Sequence, residues 1–101
     1  MSSVVYQNKA QSANRNIDSA KTSIDNSITA INDLILRIPN SKGYDALGRN
    51  TNDSLISVKN SLIDSTASFE SIKTSIMDKA ILEDRKLDML KKNEEQDGNI
   101  N

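Results

Sequence analysis

Apolar side chains recur along this chain at steps of seven. Counting from Ala10 they are Ile17, Ile24, Ile31 and Ile38, and Tyr6, Ala13, Ala20, Ser27 and Leu34 fall between them at alternating steps of three and four. That spacing keeps one face of an α-helix apolar along its length, the pattern of a coiled-coil seam. Ala13 and Ala20 let a neighbour approach closely near the N-terminus, whereas Ile28, Leu34 and Ile35 broaden the stripe further on. Pro39 has no N–H to donate and pushes Ile38 out of the helical region, so the pattern predicts a first helix over residues 4–38.

The stretch 39–52 contains Pro39, Gly43, Gly48 and a cluster of Asn, Ser and Asp, and predicts a connector with Gly43, Leu47, Gly48 and Asn50 in the turn. Asn50, Thr51 or Asp53 can cap the helix that follows. A second stripe runs through Leu55, Val58, Leu62, Ser65, Phe69, Ile72 and Ile76, then slips by one residue to Ala80, Leu87 and Leu90, which predicts a helix over 53–92. The tail 93–101 has no periodic apolar residue and is expected to fray.

Each helix would be on the order of 50 to 60 Å long, and a connector of this size lets the two fold back on each other. The expected fold is all-α: one domain over residues 1–101, an antiparallel two-helix hairpin that completes a four-helix bundle through a partner or a second copy. Composition points the same way. Only 36% of the residues are hydrophobic, with one Phe, two Tyr and no Trp, so the core is thin. A single seam has trouble offsetting a conformational entropy of about 1 to 2 kcal/mol per ordered residue. The apolar residues beside the seam, Ile28, Ile35 and Leu36 on the first helix with Ile56, Ile63, Met77 and Ile81 on the second, are the candidate partner-binding surface. Taken singly, each can equally be a residue that widens the intramolecular core.

Candidate chemistry is sparse. The chain has no His and no Cys, which removes the commonest general base, the commonest metal ligand and the thiolate nucleophile. No catalytic residue, cofactor or metal is expected. The acidic pairs Glu83 with Asp84 and Glu94 with Glu95 lie about 100° apart on a helix and read as solvated faces. The connector glycines are not followed by Lys-Ser or Lys-Thr, and Lys42 and Tyr44 stand where a calcium loop needs carboxylates. With 13 basic and 14 acidic residues interspersed, the net charge of −1 gives no concentrated positive field for nucleic acid or anionic lipid. Leu34-Ile35-Leu36 is too short to insert in a membrane, and Met1 to Tyr6 lacks the basic and apolar regions of a signal peptide. The expected location is the cytoplasm, or outside it by a route that needs no Sec signal.

Two long amphipathic helices in about 100 residues, with a glycine-bearing turn between them, resemble the small helical-hairpin proteins of the type VII (Esx, WXG-type) secretion pathway. The segment Ala46-Leu47-Gly48-Arg49-Asn50-Thr51-Asn52-Asp53-Ser54-Leu55 is similar to the Gly-Asn turn entering helix two in the small partners encoded beside LXG toxins. The resemblance implies a chain that packs beside the N-terminal helical domain of such a toxin, or beside another small helical protein, and travels with it to the secretion machine of a Gram-positive bacterium. This sequence departs from the family in having no Trp-x-Gly in the turn. It also lacks the export signal of an aromatic residue followed four positions later by an acid, and Ala80 to Asp84 keeps only the spacing. A self-assembling structural coiled coil, here a homodimer, is the competing expectation, since the Ile17, Ile24, Ile31, Ile38 series suffices for it. A bacteriocin-immunity-like bundle fits less well, because it needs more helix breaks than Pro39 and Gly48 provide.

Overall fold

A computed structural model describes residues 2–40 and 46–100, and among them there are helices and no strands. Helix α1 spans Val5–Arg37, a single 3-10 turn covers Ile38–Asn40, α2 spans Ala46–Thr66 and α3 spans Phe69–Ile100. The first helix ends one residue before Ile38, as the steric demand of Pro39 requires. Arg37 closes its last turn, paired with Asp33 at 2.7 Å and favourably placed at the negative end of the helix dipole.

The second helical stretch differs from its prediction in three places. It begins at Ala46 rather than 53, so Leu47, Gly48 and Asn50 lie inside α2 and not in a turn, while Gly43 falls outside the described residues. Gly48 is tolerated there although glycine costs a helix about 1 kcal/mol relative to alanine. It sits on the half-buried side of α2, on one line with Asn52 and Leu55, where a missing side chain lets a neighbour approach. The helix then breaks at Ala67-Ser68. Ser61 and Ser65 hydrogen-bond the carbonyls four residues back, Thr66 bonds the carbonyl of Ile63, and the Ala67 N–H is shared between Ile63 and Asp64. Side chains that compete for the backbone acceptors in this way loosen the ladder and bend a helix. Finally, α3 continues through Ile100, past the stretch expected to fray; Lys91, Lys92, Glu94, Glu95 and Gln96 are all good helix formers.

The chain divides into two compact units, Met1–Ile17 with Glu70–Asn101, and Asp18–Phe69. In the first, α1 and α3 run antiparallel: Ser3 meets Asp88, Tyr6 and Gln7 meet Asp84, and Asn14 meets Lys73. Its buried apolar residues are Ala10 and Ala80, and the contacts on either side place the two level with each other. In the second unit the half-buried Lys21, Ile24, Ile28, Ile31 and Ile35 of α1, with Asn32 beside them, and Gly48, Asn52, Leu55, Lys59, Leu62 and Thr66 of α2 follow steps of four and three. Asn52 is buried among them and donates from Nδ2 to the carbonyl of Ile35 at 3.2 Å, one of the last four carbonyls of α1, which have no partner further along an α-helix. Replacing Asn52 with Ala is expected to lower stability by about 1 kcal/mol, read as the shift in a urea unfolding midpoint. An unchanged midpoint means this contact contributes nothing net.

The helices are rotated from the expected seam by one position. The series of sevens is on the covered side in both stretches, from Ala10 to Ile38 and from Leu55 through Leu62 and Phe69 to Ile76. The residues between them are not the expected ones. Tyr6, Ala20, Ser27, Leu34, Val58, Ser65 and Ile72 are exposed, and their places are taken by Gln7, Lys21, Ile28 and Ile35 on α1 and by Lys59, Thr66 and Lys73 on α2 and α3. Ala13 and Asn14 share the covered side, both half-buried.

Candidate functional site

The most tightly built group of side chains lies in the first unit, where α3 closes over the start of α1. The first intrahelical bond of α1 runs from the Asn8 N–H to the Val4 carbonyl at 2.8 Å, so the N–H groups of the preceding residues have no partner within the helix. Val4 stands at the capping position without a side-chain acceptor, and no acidic residue occupies the first turn. The acceptors come from α3. Asp84 takes the Tyr6 N–H on Oδ1 at 3.0 Å and the Gln7 N–H on Oδ2 at 2.9 Å. Asp88 takes the Ser3 N–H at 2.8 Å, and Lys91 donates to the Ser3 hydroxyl at 3.1 Å. Asp84 is 1% exposed, the most enclosed side chain described. It is therefore not part of the solvated face that its pairing with Glu83 suggests in the sequence.

Electrostatics follow from this geometry. Burial pushes the Asp84 carboxyl up, but the N–H groups of Tyr6 and Gln7 and the Gln7 side chain outweigh it, against a further upward push from Asp88, and the net direction is below the usual 3.8. Asp88 is held down by Ser3, first through its side chain and then its backbone, with Lys91 adding to the effect and burial opposing it. A carboxylate whose folded value is depressed stabilises the fold fully above its unfolded value and loses that contribution as pH falls through the folded one. Thermal stability is thus expected to hold level from pH 7 to about 5 and to fall below about 4 as the two carboxylates take up protons. Circular dichroism melts across that range check it, and a midpoint unchanged down to pH 2 would count against the clasp.

The seven candidate contact residues divide between the two units, five within residues 18–69 and Met77 and Ile81 in the other. Leu36 is 70% exposed, and Ile56 and Ile63 are also exposed. Ile28 and Ile35 are half-buried on the covered side of α1, and Met77 and Ile81 are half-buried beside Ala80 on α3. Among the described residues no three or more His, Cys, Asp or Glu side chains converge as a metal site, and no helix is long and apolar enough to cross a membrane. Two surface grooves are open to solvent: one of about 440 Å³ lined by Ser2, Asp88, Lys91, Lys92 and Glu95, and one of about 300 Å³ beside Met89 and Leu90.

The chain matches no protein-family model, no curated protein and no solved structure. The functional reading therefore rests on the residues themselves. What sequence reasoning missed is the Asp84 and Asp88 pair, spaced one helical turn apart and facing an α1 start that has no cap of its own. The sequence hides this, because Ser3 stands directly before the predicted helix and reads as its cap, whereas α1 starts one residue later, at Val5, and leaves Val4 in the capping position.

Proposed function

We propose that the chain is a non-catalytic helical hairpin that binds another helical protein and completes a four-helix bundle with it. The observation that carries this is the apolar surface left open within residues 18–69: Leu34, Leu36, Leu47, Ile56, Val58 and Ile63 are each more than two-fifths exposed although they flank a covered seam. Helices with apolar residues on both sides of one seam are built for a second neighbour. A non-catalytic role is supported by the use of Asp84 and Asp88, the best-placed carboxylates, to hold backbone N–H groups.

The partner proposed is the N-terminal helical domain of an LXG-type toxin, with this chain acting as a type VII secretion-associated partner or targeting factor, in the cytoplasm or exported without a Sec signal. The support is the long amphipathic helices and the apolar surface they leave open; residues 46–55, which resemble a turn in the sequence, are helical and add nothing to it. Self-assembly is the second reading, favoured by interspersed charges that sum to −1 and so give two copies little mutual repulsion.

Light scattering over a dilution series, with circular dichroism on the same samples, separates the two. The partner reading expects a loosely helical monomer that gains helicity and mass when an LXG-type domain is added. A highly helical dimer that persists on dilution and ignores that domain would establish self-assembly instead.

A further inference from the structure

Apolar residues stand seven apart on both helices, Ala10 and Ile17 on α1 and Ala80 and Leu87 on α3. A slide by one heptad, about 10 Å, toward the end of α3 sets Ala10 against Leu87 and Ile17 against Ala80, so burial alone discriminates poorly against that register. The polar contacts do not repeat. Seven residues before Asp84 stands Met77, whose thioether is a weak acceptor, and seven after it stands Lys91, which has donors only and carries the charge that the start of a helix repels. Either slide strips Tyr6 and Gln7 of the acceptors that Asp84 gives them. Nothing in the first turn of α1 replaces these, because Val4 offers no side-chain acceptor.

We infer that Asp84, by capping α1 from α3, fixes the register in which these two helices pair. Where a seam is thin and repetitive, one polar contact that cannot be satisfied in neighbouring registers is an efficient way to specify a single one. Asp84 acts here as a positioning residue, and the same alignment sets which apolar residues of α1 and α3 are covered.

The absence of cysteine allows nitroxide labels at two exposed positions, N8C and K92C, and a distance measurement between them by double electron–electron resonance. With Asp84 in place one distance is expected. The exchange M77D/D84M moves the carboxylate one heptad toward the start of α3, and the distance should lengthen by roughly 10 Å. In V4D/D84A, where α1 carries its own cap, helicity should return while the distances divide between registers. A single, unshifted distance in both variants overturns the inference. So does loss of helicity in both, since Asp84 would then serve stability and not alignment.

Discussion

Replacing Asp84 with Ala at neutral pH is expected to lower the thermal midpoint by roughly 10 °C, more than any other single truncation on α3, given that about 1 kcal/mol moves a domain of this size by 4 to 8 °C. Two effects add. The part-buried N–H groups of Tyr6 and Gln7 lose their acceptors, and the positive end of the α1 dipole loses the enclosed negative charge of Asp84 beside it. Exposed ion pairs on the same helices, such as Lys86 with Glu83 at 2.8 Å, contribute at most about 1 kcal/mol, and removing one should scarcely move the midpoint. The difference between the parent and D84A should also shrink below about pH 4, because a protonated Asp84 no longer offers two charged acceptors. A D84A midpoint within a degree or two of the parent's would mean that water or a rearranged α1 start satisfies those groups equally well.

Ala10→Glu should be more damaging still. Ala10 is one of the two buried apolar residues described, and the contacts around it place it level with the other, Ala80. Two methyl groups allow the helix axes to come close, and a longer side chain forces them apart even if it is apolar. A carboxylate adds the cost of a buried charge with no cation opposite, about 3 kcal/mol or more, out of a total stability that is commonly 5 to 15 kcal/mol for a domain. Urea unfolding of A10E alongside S12E, whose site lies on the exposed face of the same helix, isolates position from charge. Equal midpoints would mean that the pairing of α1 with α3 makes little contribution to stability.

Much of the architecture could be read from periodicity. The Ile17 to Ile38 series marks the covered side of α1, and Leu55, Leu62, Phe69 and Ile76 mark that of the following stretch. What hydrophobicity could not decide is the rotation of each helix about that line, because apolar or small residues lie on one flank and polar ones on the other. Tyr6 and Leu34 look the better core residues, yet they face outward. Gln7 and Lys21 take the covered side with their alkyl stems, while the Gln7 amide donates to Asp84 and the Lys21 amine reaches Asp25 at 3.3 Å. Asn14 sits there because its amide reaches the Lys73 carbonyl at 3.1 Å. Contacts between residues more than fifty positions apart are invisible to a local pattern, and they decided the outcome. The break at Ala67-Ser68 was hidden for a related reason: neither residue is a strong helix breaker, and the bending comes from hydroxyls on the turns before it.

Both ends of α1 receive help from side chains outside it, Asn52 at the carbonyl end and Asp84 at the amide end. The amide-end acceptor lies 77 to 78 residues downstream of the groups it serves. During synthesis α1 emerges before α3, and its opening turn waits until Asp84 has been made. Until then that end is held by local propensity alone, which is weak for a start rich in valine. The start of α1 is thus completed by a helix made after it, and its apolar stripe stays open to another helix throughout that delay.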